Sequence, residues 1–297
     1  MSQRHPIIAV TGSSGAGTST ARRAFEQIFR VLHQKPAYIE GDSFHSYDRE
    51  QMLAGIQRAK IRGENFSHFG PGANHLDKLE ELFRQYAETG TGFHRKYLHT
   101  EDEAKVHNQP VGTFTEWRDL PDDTDFLFYE GLHGGAVTEE VDVAQHVDLL
   151  IGMTPTINLE WTQKIRRDIE ERGHTPEDIT KTILRRMPDY VNYITPQFSR
   201  THINFQRVPL VDTSNPFAAP EIPSPDESLT VVRVARPARL KIDFPYALSM
   251  IHGSFMSRPN TLVVPGAKAA LAMEIILRPI IEDMARKRRE LVQGNAS

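Results

Sequence analysis

The chain has 297 residues, 39% hydrophobic and 25% charged, with a formal net charge of -4 and no cysteine. That balance fits a packed core under a solvated surface, and the length suits one large α/β domain or two small ones. It excludes disulfides, thiolate metal sites, cysteine nucleophiles and thiol-based redox control, and it gives no reason to invoke nucleic acid as the main partner.

Near the N-terminus the one short apolar stretch, Ile7 to Val10, is too short for a signal-peptide core. No apolar run approaches the length of a membrane span, so a soluble cytoplasmic protein without a membrane partner is expected. Neither an internal repeat nor a low-complexity segment is visible.

In chain order, Pro6 to Val10 reads as a strand, Gly12 to Gly17 as a break, and Ser19 to Leu32 as a helix. The helix carries apolar residues at Ala21, Ala24, Phe25, Ile28, Phe29 and Leu32. A second strand, Ala37 to Glu40, runs into Gly41-Asp42. This opens a βαβ pattern and favours a parallel sheet. Residues 61 to 74 read as a loop, and His75 to Glu88 as a helix with Leu76, Leu79, Leu82, Phe83 and Tyr86 on one side. Residues 91 to 125 lack a clear period and read as hairpins or an excursion from the sheet.

Phe126 to Tyr129 is a continuous apolar run that ends in Glu130, as a central parallel strand covered on both faces would. Val147 to Met153 reads as a strand, Asn158 to Glu171 as a helix, and Pro176 opens a further helix at a favourable first-turn position. Residues 212 to 227 read as a connection, and Val231 to Val234 as a strand. Ala267 to Leu291 reads as a last helix that Pro279 should kink or break. Its Arg286-Lys287-Arg288-Arg289 run resembles a nuclear-localisation patch, but a basic helix C-terminus favoured by the macrodipole is the simpler reading.

Gly12-Ser13-Ser14-Gly15-Ala16-Gly17-Thr18-Ser19 lies between a strand and a helix. A phosphate loop needs this form: small residues let backbone N–H groups close on phosphate oxygens, the helix start adds positive potential, and a hydroxyl reaches the metal. Gly12, Gly17 and Ser19 match GxxxxGK[ST], while Thr18 replaces the lysine. Another cation must then touch the β- and γ-phosphates, or the loop binds something else. The alternative is a glycine-rich turn without a ligand. No Asp-x-x-Gly and no Asn-Lys pair occurs, which fits a GTPase switch poorly.

In open parallel sheets, ligands bind beyond the carboxyl ends of the strands. Asp42 follows the second strand, where it could accept a proton from an attacking alcohol or merely cap the next turn. Glu130 stands where P-loop proteins place a metal-associated acid, and could equally be a surface carboxylate at a strand end. Lys164, Asp168 and Arg172 share a helix face with Arg167 beside them. Such a face is usually solvated and ion-paired. In a kinase without a loop lysine it could instead be a lid whose cations neutralise the transferring phosphoryl group.

Together these features resemble the bacterial form of the phosphoribulokinase family. The match runs along nearly the whole chain, through Gly12 to Thr20 with the unusual Thr18, Ile39 to His45, Phe66 to Phe69 and Phe128 to Gly134. It continues through Ile157 to Trp161, Pro196 to Ser199, His202 to Pro209, Val211 to Phe217 and Asp243 to Tyr246. The resemblance implies an α/β fold, a P-loop sheet with a parallel core flanked by helices, like that of nucleoside monophosphate kinases, formed by residues 1 to 297 as one kinase domain.

It implies transfer of the ATP γ-phosphoryl to O1 of ribulose 5-phosphate in the Calvin cycle. Asp42 would be the base, Gly12 to Thr20 the nucleotide loop, and Ser19 and Glu130 the Mg²⁺ ligands. Asp168 would be a second essential acid, with Lys164 and Arg167 stabilising phosphoryl charge. His45, Arg49 and Arg172 would bind the sugar phosphate, with Tyr97, His99 and Arg186 as further candidates. The resemblance also implies a homo-oligomer, often an octamer, activated by NADH and inhibited by AMP, although no dinucleotide site is evident. Kinases of uridine, pantothenate or glycerate share the loop and the acid after the second strand but usually keep the lysine. A non-catalytic nucleotide sensor would have lost Asp42, Glu130 or Asp168.

Overall fold

The computed structural model describes residues 4–13, 15–170, 173, 175–217 and 221–294. β1 (Ile7–Thr11) is buried throughout and feeds the glycine loop into α1 (Thr18–Val31). β2 (Pro36–Glu40) ends in a single 3-10 turn, Gly41–Phe44. α2 (Arg49–Arg62) starts on a capping box between Asp48 and Gln51 and ends on Gly63 in the left-handed conformation. α3 (Leu76–Thr89) buries the five apolar residues that its spacing aligns. The 91–125 excursion holds β3 (Phe93–His94), α4 (Glu101–His107) and β4 (Arg118–Asp119), with β3 antiparallel to β4.

β5 (Phe126–Gly131) and β6 (Leu149–Thr154) follow. α5 (Ile157–Glu170) precedes α6 (Pro176–Asp189), which Thr175 caps and which continues into a π-helical turn at Tyr190–Ile194. β7 (Ile203–Pro209) and β8 (Ser228–Val234) come next, then the short helices α7 (Pro237–Leu240) and α8 (Phe244–Met250). β9 (Phe255–Arg258), β10 (Thr261–Pro265) and α9 (Ala269–Gly294) close the chain.

One sheet runs in the order β2-β5-β1-β6-β7-β8-β10-β9. The first five strands of that order are parallel, and the last three extend the sheet with antiparallel pairing. Alternation along β1 sends Ile8 and Val10 to a layer with α1 and α9, and Ile7 and Ala9 to a layer with α3. Helices therefore cover both faces, which explains why β1 and β5 are nearly unbroken apolar runs. No helix among the described residues is long and apolar enough to cross a membrane.

Three readings change. α2 went unread because it buries only Met52 and Ala59, too few for a helical period. β7, β9 and β10 also lay outside the elements the sequence suggested. Pro279 does not break α9, which is continuous to Gly294. It lies on the helix's exposed side, where an unmade backbone bond costs least. In the basic run, Arg286 and Lys287 pair with Asp283, and Arg288 reaches Asp125, so these cations serve ion pairs.

Candidate active site

The loop after β1 is shaped by its glycines. Gly15 and Gly17 hold φ of 104° and 100°, where L side chains are strained. The Gly12 N–H donates to Gly131 O at 3.1 Å, tying the loop's start to the end of β5. Thr18, in the lysine's position, is buried, and its hydroxyl is close enough to Glu130 to favour the charged carboxylate. Ser19 and Thr20 lie exposed on the first turn of α1.

Register places Glu40, Glu130 and Val10 side by side at the carboxyl ends of β2, β5 and β1. Burial pushes the Glu130 carboxyl up, opposed by Thr18 and by the charge of Arg22. A bound cation would relieve that penalty. No cluster of three or more metal-ligating side chains exists among the described residues. One carboxylate and one hydroxyl beside a phosphate loop suit Mg²⁺, which takes few protein ligands and completes its shell with phosphates and water.

Asp42 sits in the turn after β2, made possible by Gly41, whose added Cβ would stand 2.8 Å from Gly131 Cα. His45 Nε2 lies 3.2 Å from Asp42 Oδ1, and His99 Nε2 lies 3.6 Å from Oδ2. Deep among its neighbours, the carboxylate still keeps 41% of its surface open, enough for a hydroxyl to approach. Burial alone would push this carboxyl up. The His45 hydrogen bond and the charge of His45 and His99 outweigh it and hold the group well below the usual carboxylate range.

The support of that pair reaches beyond the residues singled out from sequence. Asn74 Nδ2 donates to His68 O at 2.9 Å and Gly70 O at 2.7 Å, which turns Asn74 Oδ1 toward His45 Nδ1 at 2.7 Å. His45 Nδ1–H donates there, and Nε2 faces Asp42, to which it donates when the ring carries its second proton, the charged form whose attraction holds Asp42 down. His68 stacks on His45 with centroids 4.1 Å apart, and His133 Nε2 lies 3.0 Å from His68 O. Burial, then the charges of His45 and Arg186, push His68 down to about 3, and burial pushes His133 down to about 4. Arg95 donates to the carbonyls of Ser43 and His45 at 2.8 and 2.6 Å, its guanidinium 3.7 Å above the Phe114 ring. It thus holds the backbone of the Asp42 turn from the excursion side.

That excursion delivers two of the substrate candidates. Tyr97 stands edge-on to His99 at 4.8 Å and 6.3 Å from the His45 ring. Arg49 is exposed at the start of α2, its N–H donating to Gly112 O at 2.8 Å within the same segment.

On α5, Lys164 Nζ donates to Asp168 Oδ2, and Arg167 Nε approaches Asp168 Oδ1 at 3.3 Å. Asp168 is buried, so the face is an ion-paired cluster rather than a solvated one. Burial, then the nearby charges of Arg186 and Arg167, push Lys164 down against the pull of Asp168. Arg186, on α6, also lies 5.6 Å over the Phe69 ring and acts on His68. It therefore links the α5 cations to the Asp42 cluster. Ser14 and Arg172 lie outside the described residues. A cleft of about 340 Å³ opens beside the loop, lined by Gly17, Thr154, Pro155, Thr156, Phe205 and Met273.

His68, His133, Asn74, Arg95 and Glu160 were not picked out as site residues from sequence. The residues that His68 and His133 serve are far off in the chain, and only the fold joins them.

A phosphate loop, an acid at each of two neighbouring strand ends and a cationic helix face define a P-loop small-molecule kinase. Residues 7–214 match the family described as "Phosphoribulokinase / Uridine kinase family". The chain is 60% identical over 294 residues to the chromosomal phosphoribulokinase of Cupriavidus necator, covering 99% of this chain and 100% of that protein. It is 57% identical to a probable phosphoribulokinase of Escherichia coli, over 95% of this chain and 97% of that one. The solved phosphoribulokinase from Rhodobacter spheroides superposes with a TM-score of 0.89 at 52% identity, covering 97% of this chain and 100% of that chain. This chain belongs to the phosphoribulokinase / uridine kinase family, and within it to the bacterial phosphoribulokinases.

Proposed function

We propose that Asp42 is the base in the activity this family membership assigns, ATP-dependent conversion of ribulose 5-phosphate to ribulose 1,5-bisphosphate. The observation that carries the reading is the Asp42 carboxylate itself: ionised, partly open, steered by two imidazoles and set one strand from the loop. Phosphoryl transfer asks mainly for positioning and charge stabilisation, with a base orienting the nucleophile. A low carboxylate pKa suits that task, because the group stays ionised and accepts the O1 hydroxyl as a hydrogen bond before the proton moves.

The remaining roles follow from placement. Gly12 to Thr20 cradle the phosphates, and the adjacent cleft takes the nucleoside. Ser19 and Glu130 would hold Mg²⁺, which would supply neutralisation of the phosphate charge when bound. Lys164 and Arg167 stand in for the missing loop lysine, kept in place by Asp168. His45, Arg49, Tyr97, His99 and Arg186 surround the sugar phosphate, with Arg172 as a further candidate.

We treat residues 1–297 as one kinase domain, since one sheet gathers strands from both ends of the chain. Homo-oligomerisation, activation by NADH and inhibition by AMP belong to the same proposal and rest on the family resemblance. Asp42→Asn keeps the side chain's size and removes the charge. It should lower kcat by about 10²–10⁴-fold. Near-normal turnover with the fold intact would remove Asp42 from this role.

A further inference from the structure

Glu160 has no part in the chemistry above, yet it is a buried acid at the phosphate loop. It lies in the first turn of α5, one helical turn before Lys164, and is 8% exposed. Ser13 Oγ donates to its Oε1 at 2.6 Å, and Tyr190 Oη lies 3.5 Å from its Oε2. A Cβ on Gly15 would come within 3.6 Å of Glu160 Cγ and 3.9 Å of Glu160 O, so the helix start rests against the loop itself. One carboxyl thereby joins three segments: the loop, the helix that carries the cations, and the π-helical turn that ends α6.

We propose that Glu160 is a positioning residue that couples nucleotide binding to the placement of the α5 cations, and that its carboxyl takes up a proton as phosphates fill the loop. This rests on the reading of residues 12 to 20 as the nucleotide-phosphate site.

The physical reason is charge. Among the described residues, three groups face the carboxyl: Ser13 from the loop, Tyr190 from the π-helical turn, and Lys164 along α5. Of these, Lys164 is cationic, and it is committed to Asp168. Burial pushes Glu160 up to about 7, against the Ser13 and Tyr190 hydrogen bonds and the Lys164 charge. The polyphosphate of ATP adds negative charge next to a carboxylate that burial already disfavours, so the neutral acid gains. A protonated Glu160 can still accept from Ser13 through its carbonyl oxygen. The loop–helix contact then survives nucleotide binding instead of being pushed apart by repulsion. The proton comes from the buffer.

The test is calorimetric binding of Mg·ATP to the full chain without ribulose 5-phosphate, at pH 7.5 in buffers of different ionisation enthalpy. A group titrating at about 7 is roughly one quarter protonated at pH 7.5, so uptake of up to about 0.75 proton per site is expected. Glu160→Gln, nearly isosteric and unable to titrate, should abolish the uptake. Hydrogen exchange supplies a second reading: Mg·ATP should slow exchange in residues 157–170 of the wild type, and Glu160→Ala should lose that protection. Nucleotide binding by the wild type with no proton uptake, or equal uptake in Glu160→Gln, overturns the inference and leaves the loop assignment standing. Absence of Mg·ATP binding by the folded wild type overturns the loop assignment itself.

Discussion

Replacing Lys164 with alanine separates what the α5 ion cluster does for the fold from what it does for the reaction. The Lys164 and Asp168 side chains are only 15% and 7% exposed, so the pair is buried. Removing one partner of a buried pair strands the other charge, typically at a cost of about 3–5 kcal/mol. Arg167 stays 3.3 Å from Asp168, which places the expected loss near the low end, about 3 kcal/mol. In a chain of this size that should lower Tm by roughly 5 °C. If Lys164 also faces the transferring phosphoryl group, its removal should cost a further ~10²–10³-fold in kcat, the usual size for one electrostatic stabiliser.

The two effects part company in Lys164→Ala/Asp168→Asn. This double variant leaves no buried carboxylate stranded, and Arg167, 31% exposed, can turn to solvent, so much of the Tm should be recovered while kcat stays as low as in the single variant or lower. The assays are thermal unfolding and ADP release at saturating substrates. A single variant whose kcat stays within about threefold of wild type at a temperature where it is folded would refute the idea that Lys164 replaces the loop lysine.

Further outcomes follow from the other contacts. Glu130→Gln should raise the Mg²⁺ concentration for half-maximal rate at least tenfold with little change in Tm; an unchanged Mg²⁺ titration would remove Glu130 from the metal. Arg95→Lys keeps the charge but loses the fork that spans Ser43 O and His45 O. It should lower kcat by about tenfold more than it raises KM for ATP, as expected for a misplaced base turn.

His68 and His133 titrate at about 3 and 4 when folded and near 6.5 when unfolded. The unfolded chain therefore binds more protons between those limits, so stability should rise with pH through that window, and the two rings add no further pH dependence below it. Each ring can contribute up to about 1.4 kcal/mol per pH unit. A His68→Asn/His133→Asn protein should show a flatter acid limb in a urea-midpoint profile from pH 4 to 7, and an unchanged slope would count against the buried neutral rings. Asp42 acts with the same sign in a lower window: its folded pKa is depressed, so its contribution is present above about pH 4 and lost only as pH falls further.

The glycine loop, the Phe126 to Glu130 strand and the α3 face were legible because each is written locally, in glycine spacing, an unbroken apolar run and a helical period. The placement of Asp42 and Glu130 followed from one rule about strand ends. What stayed hidden is non-local. α2 has a charged, weakly apolar surface and no stripe to read. The support of Asp42 by Asn74, His68, His133 and Arg95 spans four segments, and no spacing connects His68 with His133. α4 was recoverable, since Thr100 and Glu103 form a capping box, but its seven residues are too few to set a period. The Thr156–Val208 stretch shows the same limit from another side: Thr156 Oγ1 donates to Arg207 O across to β7, a contact invisible until both strands are in place.

The most direct measurement is ADP release with Mg·ATP and each of four alcohols, ribulose 5-phosphate, uridine, pantothenate and glycerate, with and without NADH. Turnover with ribulose 5-phosphate alone among the four is the predicted result. Silence with ribulose 5-phosphate beside turnover of another alcohol, or silence with all four while NADH is present and the protein is folded, would contradict it.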